Sequence, residues 1–159
     1  MAGNSDNRGF TLIELLIVVA ILSIVSALAI PNYLRYQGQT RQGEAKTSLG
    51  AIFVAETAYF GEQTRYGTFT EIGFGLAGMA NRYAYRVGAG ATAGIDLIVP
   101  QVGVDPGPNT VVPSAISGPP TPTFTATATA NLDGDPAIDM WHINDLKKGM
   151  QSADQNDIP

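Results

Sequence analysis

The strongest constraint on this chain is an apolar run near its amino end. Across residues 10–30 only Thr11, Glu14, Ser23 and Ser26 are not hydrophobic. As a helix rising about 1.5 Å per residue, such a run spans roughly the 30 Å hydrocarbon core of a bilayer. The apolar core of a secretory signal is shorter, at about 7–15 residues. A plain anchor explains the length but not Glu14. A carboxylate in a bilayer costs on the order of 2.5–3.5 kcal/mol at mid-depth, and less near an interface. Glu14 therefore points to a function that needs a positively charged partner. The simpler role is an anion favoured by the dipole at the start of a helix, with a side chain that snorkels.

The residues around Glu14 supply a partner by resemblance. The string Arg8-Gly9-Phe10-Thr11-Leu12-Ile13-Glu14-Leu15-Leu16-Ile17-Val18-Val19-Ala20, continuing to Ala29-Ile30-Pro31-Asn32-Tyr33, closely resembles the amino terminus of type IV pilins. The resemblance implies that residues 1–9 are a leader, which prepilin peptidase cuts between Gly9 and Phe10. It also implies N-methylation of Phe10, and pairing of Glu14 with the terminal amine of a neighbouring subunit during filament assembly. Physical chemistry agrees with that role. An ammonium at Phe10 and a carboxylate at Glu14 are each poorly solvated in an apolar filament core. Breaking a buried pair by removing one partner costs about 3–5 kcal/mol. The pair would thus set subunit register along the helix axis. Pro31 lacks an amide hydrogen and should kink or locally melt the helix, and Gly38 and Gly43 soften the turns that follow. In the family this region unwinds on assembly, so Phe10, Glu14 and Pro31 form the expected assembly set.

Beyond Pro31 the pattern turns amphipathic. Ala45, Leu49, Ile52, Phe53, Glu56, Tyr59 and Phe60 recur three and four apart, the signature of one buried helix stripe. Glu56 lies on that stripe, and the pattern leaves open whether it caps, pairs with an arginine or sits at the edge. The expected fold is α+β. One long helix over 10–62, membrane-spanning from 10 to 30, packs against an antiparallel sheet of about four strands in a globular head over 63–159. The strand signals are 82–87, 95–99, 123–130 and 139–144. In the last of these Trp141 and Ile143 are expected to face inward. Residues 100–122 form a Pro-rich segment read as a surface loop, and 147–159 a polar tail expected to fray. A second set of residues resembles major pilins of delta-proteobacterial type: Phe53, Ala55-Glu56, Tyr59-Phe60, Glu71-Ile72-Gly73-Phe74 and Asn81-Arg82-Tyr83-Ala84-Tyr85.

Composition narrows the chemistry. The net charge is −5, so the chain is a poor counterion-release binder and nucleic acid is not an expected partner. With no cysteine, disulfides and thiolate metal sites are excluded. His142 is the only histidine and, in a strand, reads as structural. No nucleophile–base set or phosphate-binding loop appears, so an enzyme is not expected. Asp133, Asp135 and Asp139 sit close together around a turn, and hard cations such as Ca²⁺ favour clustered oxygens. Their spacing does not fit an EF-hand loop, and a turn that uses Asp and Gly for local hydrogen bonds is the reading that the pattern favours over a calcium site. No other cofactor is expected.

The resulting expectation is a pilus subunit that polymerises with itself and supports attachment and twitching or gliding motility. Its other partners are prepilin peptidase, the assembly platform with its ATPases, and the cytoplasmic membrane that holds it before export into a surface filament. Two alternatives stay open. One is a pseudopilin of a type II secretion system, some of which bind calcium near their carboxyl end. The other is a membrane-anchored binding domain that never polymerises.

Overall fold

A computed structural model of the chain describes residues 9–76, 80–88 and 96–158. It divides into two compact units, one ending at Tyr36 and one beginning at Gln37. The leader expected at 1–9 lies outside the described residues except for Gly9, as does Ile95 of the second expected strand.

The first unit is the opening part of helix α1 (Leu12–Gln63). All of its described side chains are exposed, and α1 is long and apolar enough to cross a membrane. The helix begins two residues later than expected and runs unbroken through Pro31. The local melting expected there is thus not present in the single subunit. Beside the missing Pro31 amide, the Asn32 side chain donates to the Leu28 carbonyl at 3.1 Å.

In the second unit α1 buries Gly38, Gln42, Ala45, Leu49, Ile52 and Glu56. This alternation of fours and threes holds one face against a sheet. Five strands form that sheet: β1 (Ala84–Val87), β2 (Asp96–Ile98), β3 (Ala115–Ser117), β4 (Thr123–Ala130) and β5 (Asp139–Asn144). All pairings are antiparallel, and β4 is the hub. One edge of β4 pairs with β5 over Thr125–Ala130. Ala126 to Thr129 pair with β1 on the other edge. Thr125 pairs with both Asn144 and Ala115, so β3 continues the edge occupied by β1.

The inner face carries Tyr83, Tyr85, Val87, Phe124, Ala126, Ala128, Trp141 and Ile143, packed in one core with Ala45, Leu49 and Ile52. The small alanines let the helix lie close to β4. Each fully buried leucine or isoleucine contributes about 1.5–3 kcal/mol of hydrophobic stabilisation. Glu44 fastens the chain at the entry to β1, its carboxylate accepting the Arg82 amide at 3.0 Å and the Tyr83 amide at 3.3 Å.

Three expectations are corrected. The sheet has five strands, because β3 lies inside the segment read as loop 100–122. Residues 105–109 of that segment are not merely external, since they help to bury the second face of the sheet. There Arg86 donates to Thr129 Oγ1 at 2.8 Å and pairs with Asp105, while Thr129 donates to the Gly107 carbonyl at 2.8 Å. The tail at 147–159 does not fray over its described part. Met140 forms a bridge with Gln155, Gln42 donates to Asn156 at 2.7 Å, and Ile158 packs against Gly38. Polar side chains there find partners on α1 and β5, so polarity was no sign of disorder.

Candidate functional site

At the amino end Thr11 and Glu14 form a reciprocal cap. The Thr11 amide and hydroxyl both donate to Glu14 Oε2 at 2.8 Å, and the Glu14 amide donates back to Thr11 Oγ1 at 3.3 Å. This is a capping box, Thr-x-x-Glu ahead of an apolar run, and it satisfies amides that open helix ends leave unpaired. The readable signal for it is the spacing of Thr11 and Glu14, which the assembly role expected of the same glutamate overshadows. The cap holds the carboxylate against the first turn, beside Phe10. Glu14 Oε1 accepts no hydrogen bond among the described residues.

Gly9 and Phe10 precede the cap outside the helix and are exposed, Phe10 to 89 %. A side chain at Gly9 would meet nothing within 4 Å, so packing does not require glycine there. The peptide between Gly9 and Phe10 is open to an enzyme. Behind it, every side chain from Leu12 to Tyr36 is exposed, nearly all of them apolar as far as Ile30. In water this surface is unfavourable by about 25 cal/mol per Å², so its stable surroundings are lipid or other apolar helices.

The carboxylates singled out in the head do not all converge. Asp133 and Asp135 stand exposed on the turn after β4, but Asp139 is fully buried on β5. Its Oδ2 accepts Tyr83 Oη at 2.6 Å and Trp141 Nε1 at 2.5 Å, and its Oδ1 accepts Gln42 Nε2 at 2.7 Å. Asp139 thus fastens α1 to the sheet. It shares the strand face of Trp141 and Ile143, and that parity was a readable sign that it points inward. The third carboxylate beside Asp133 and Asp135 is Asp157, with one oxygen of each within 4.8 Å of the others. Nothing local in the sequence announces that association.

Other ionisable groups of the head are held by structural partners. His142 Nδ1 lies 2.7 Å from Asp154 Oδ1, and Asp154 Oδ2 accepts Asn109 Nδ2 at 2.7 Å. Glu56 is fully buried, with Oε2 accepting the Gly67 amide at 3.0 Å and Oε1 unpartnered. Desolvation pushes its carboxyl up to about 7, against the smaller opposing effect of the Gly67 hydrogen bond.

Residues 4–30 match the family model of the prokaryotic N-terminal methylation motif. The chain is 50 % identical over 107 residues to the type IV major pilin protein PilA of Myxococcus xanthus, across 64 % of this chain and 48 % of that protein. The chain is thus similar in sequence to type IV pilins. A fimbrial protein of Pseudomonas aeruginosa is 48 % identical over 48 residues, covering 30 % of this chain and 31 % of its relative. The type IV major fimbrial protein FimA of Dichelobacter nodosus is 44 % identical over 51 residues, 32 % of this chain and 33 % of its own length. The match thus spans about half of the Myxococcus protein and about a third of the other two. The apolar, exposed opening part of α1 fits a membrane-anchored subunit.

Proposed function

We propose that this chain is a type IV pilin, a filament-forming structural subunit held in the cytoplasmic membrane by α1 and then extracted into a helical homopolymer at the cell surface. Prepilin peptidase would cut between Gly9 and Phe10 and methylate the new amine. The assembly platform and its ATPases would move the subunit, and the filament would serve attachment and motility. The observation that carries the reading is the placement of Glu14. It is the only carboxylate on an otherwise uncharged helical stretch, and its own cap holds it at the tip of that stretch.

Once many such helices are bundled, water is excluded from around Glu14. An ammonium on Phe10 of a neighbouring subunit then supplies the missing charge and approaches the carboxylate without disturbing the cap. A misregistered subunit would leave both charges unpaired, a penalty of about 3–5 kcal/mol. Pro31 enters as the place where the helix already lacks a hydrogen bond, and where rearrangement during assembly costs least. The names of the relatives favour a pilus over a secretion pseudopilus.

Glu14→Gln is the cleanest test, because a glutamine can still complete the capping box while removing the charge. The variant should fold, enter the membrane and be processed, yet yield at least tenfold fewer surface filaments by electron microscopy. Wild-type filament numbers in Glu14→Gln would refute assembly through this charge, as would an anchored domain that works equally well with either residue.

A further inference from the structure

The turn between β4 and β5 and the segment after β5 meet at three carboxylates with no covalent connection nearby. One oxygen each from Asp133, Asp135 and Asp157 lies within 4.8 Å of the other two. Oxygens on opposite sides of one Ca²⁺ ion, each at 2.3–2.6 Å, are up to about 5 Å apart. The cluster therefore has the span of a single coordination sphere. The shorter 2.0–2.1 Å ligand distance of Mg²⁺ sets a tighter limit of about 4.2 Å.

Clustered acidic groups on a surface often bind nothing, and Asp133 and Asp135 alone are well explained as turn residues. Asp133 Oδ1 accepts the Asp135 amide at 3.1 Å, and Asp135 Oδ1 accepts the Ala137 amide at 2.6 Å. Asp157 differs, being only 4 % exposed. Its Oδ2 accepts the Leu132 amide at 2.6 Å, but its Oδ1 is buried without a hydrogen-bond partner. The charges of Asp133 and Asp135 face this group. A buried carboxylate with one oxygen lacking any donor, and with two further carboxylates close by, is costly unless a cation or a proton lies among them. The Leu132 carbonyl already accepts a hydrogen bond from the Arg41 guanidinium.

We propose that Asp133, Asp135 and Asp157 bind one Ca²⁺ ion, which clamps the segment after β5 to the turn that follows β4. Water completes the six to eight oxygen ligands that Ca²⁺ takes. The ion neutralises the three mutually repelling charges and gives Asp157 Oδ1 the partner it lacks. It adds to the hold that Gln42, through Asp139 and Asn156, already exerts on this end of the head. The clamp is independent of the amino-terminal assembly segment, so it can stand or fall without affecting the pilin reading.

The test is thermal unfolding of the full chain in detergent micelles at pH 7.5, with EDTA, 5 mM CaCl₂ or 5 mM MgCl₂. Calcium at about 100 times its dissociation constant should raise Tm by about 5–10 °C over EDTA, and magnesium by much less. Asp135→Asn keeps an oxygen for the Ala137 amide and so should fold. It should lose most of the calcium response while its Tm in EDTA stays at or above that of the wild type. Three results would overturn the proposal: no calcium shift, an equal shift in Asp135→Asn, or a magnesium shift as large as that of calcium. A wild type that responds only to acidification would show that a proton, not a metal, bridges Asp135 and Asp157.

Discussion

Burial of Glu56 makes a quantitative prediction about how the head responds to pH. The carboxyl titrates at about 7 in the folded chain, against an ordinary value of 4.5. Every tenfold change in proton affinity corresponds to about 1.4 kcal/mol, so ionising Glu56 in the folded state costs about 3 kcal/mol more than in the unfolded chain. Because the folded pKa is the higher one, the folded state holds the proton more tightly. The full stability is present below pH 4.5, falls as pH rises toward 7, and is lowest above that. Glu56→Gln removes the ionisation and keeps an oxygen for the Gly67 amide. Unfolding of the wild type and of Glu56→Gln should be followed from pH 4 to 8.5. The variant's advantage should grow by about 3 kcal/mol across that range, or about 6–12 °C in Tm for a chain of this length. Other titrating groups are common to both proteins and cancel in the difference. Parallel stability curves would refute the argument, because they would mean that water reaches Glu56 and that its burial carries no electrostatic cost.

Two further positions carry predictions of different origin. Gly149 has φ of 103°, and a Cβ there would collide with the ring and carbonyl of His142. Gly149→Ala should therefore destabilise the head by at least about 2 kcal/mol in denaturant unfolding, and an unchanged midpoint would count against this packing. Arg86 is buried against Asp105 and Thr129, so Arg86→Ala should cost about 3–5 kcal/mol by stranding its partners. Replacing Arg86 and Asp105 together with apolar residues should recover much of that loss, and a double variant no better than the single one would refute the pairing.

The division between what was legible early and what was not follows the range of the interactions. The amino-terminal helix, its apolar surface, Glu14 at its tip and the stripe from Ala45 to Glu56 depend on residues three or four apart, so the sequence alone determined them. The same holds for the alternation in strands β1, β4 and β5, and even the inward turn of Asp139 is implicit in its parity with Trp141 and Ile143. The fifth strand is different, because Ala115–Ser117 is too short to show a period and becomes a strand only by pairing with β4. Burial of Arg86 and Thr129 depends on chain that returns over the sheet from more than 15 residues away. The partner of Asp133 and Asp135 likewise arrives from 157, beyond an entire strand. A local pattern records which face of an element is apolar. Which distant polar group closes over that face, or meets it across a turn, is decided only when the chain folds, because contacts between such groups leave no periodic trace in the order of the residues.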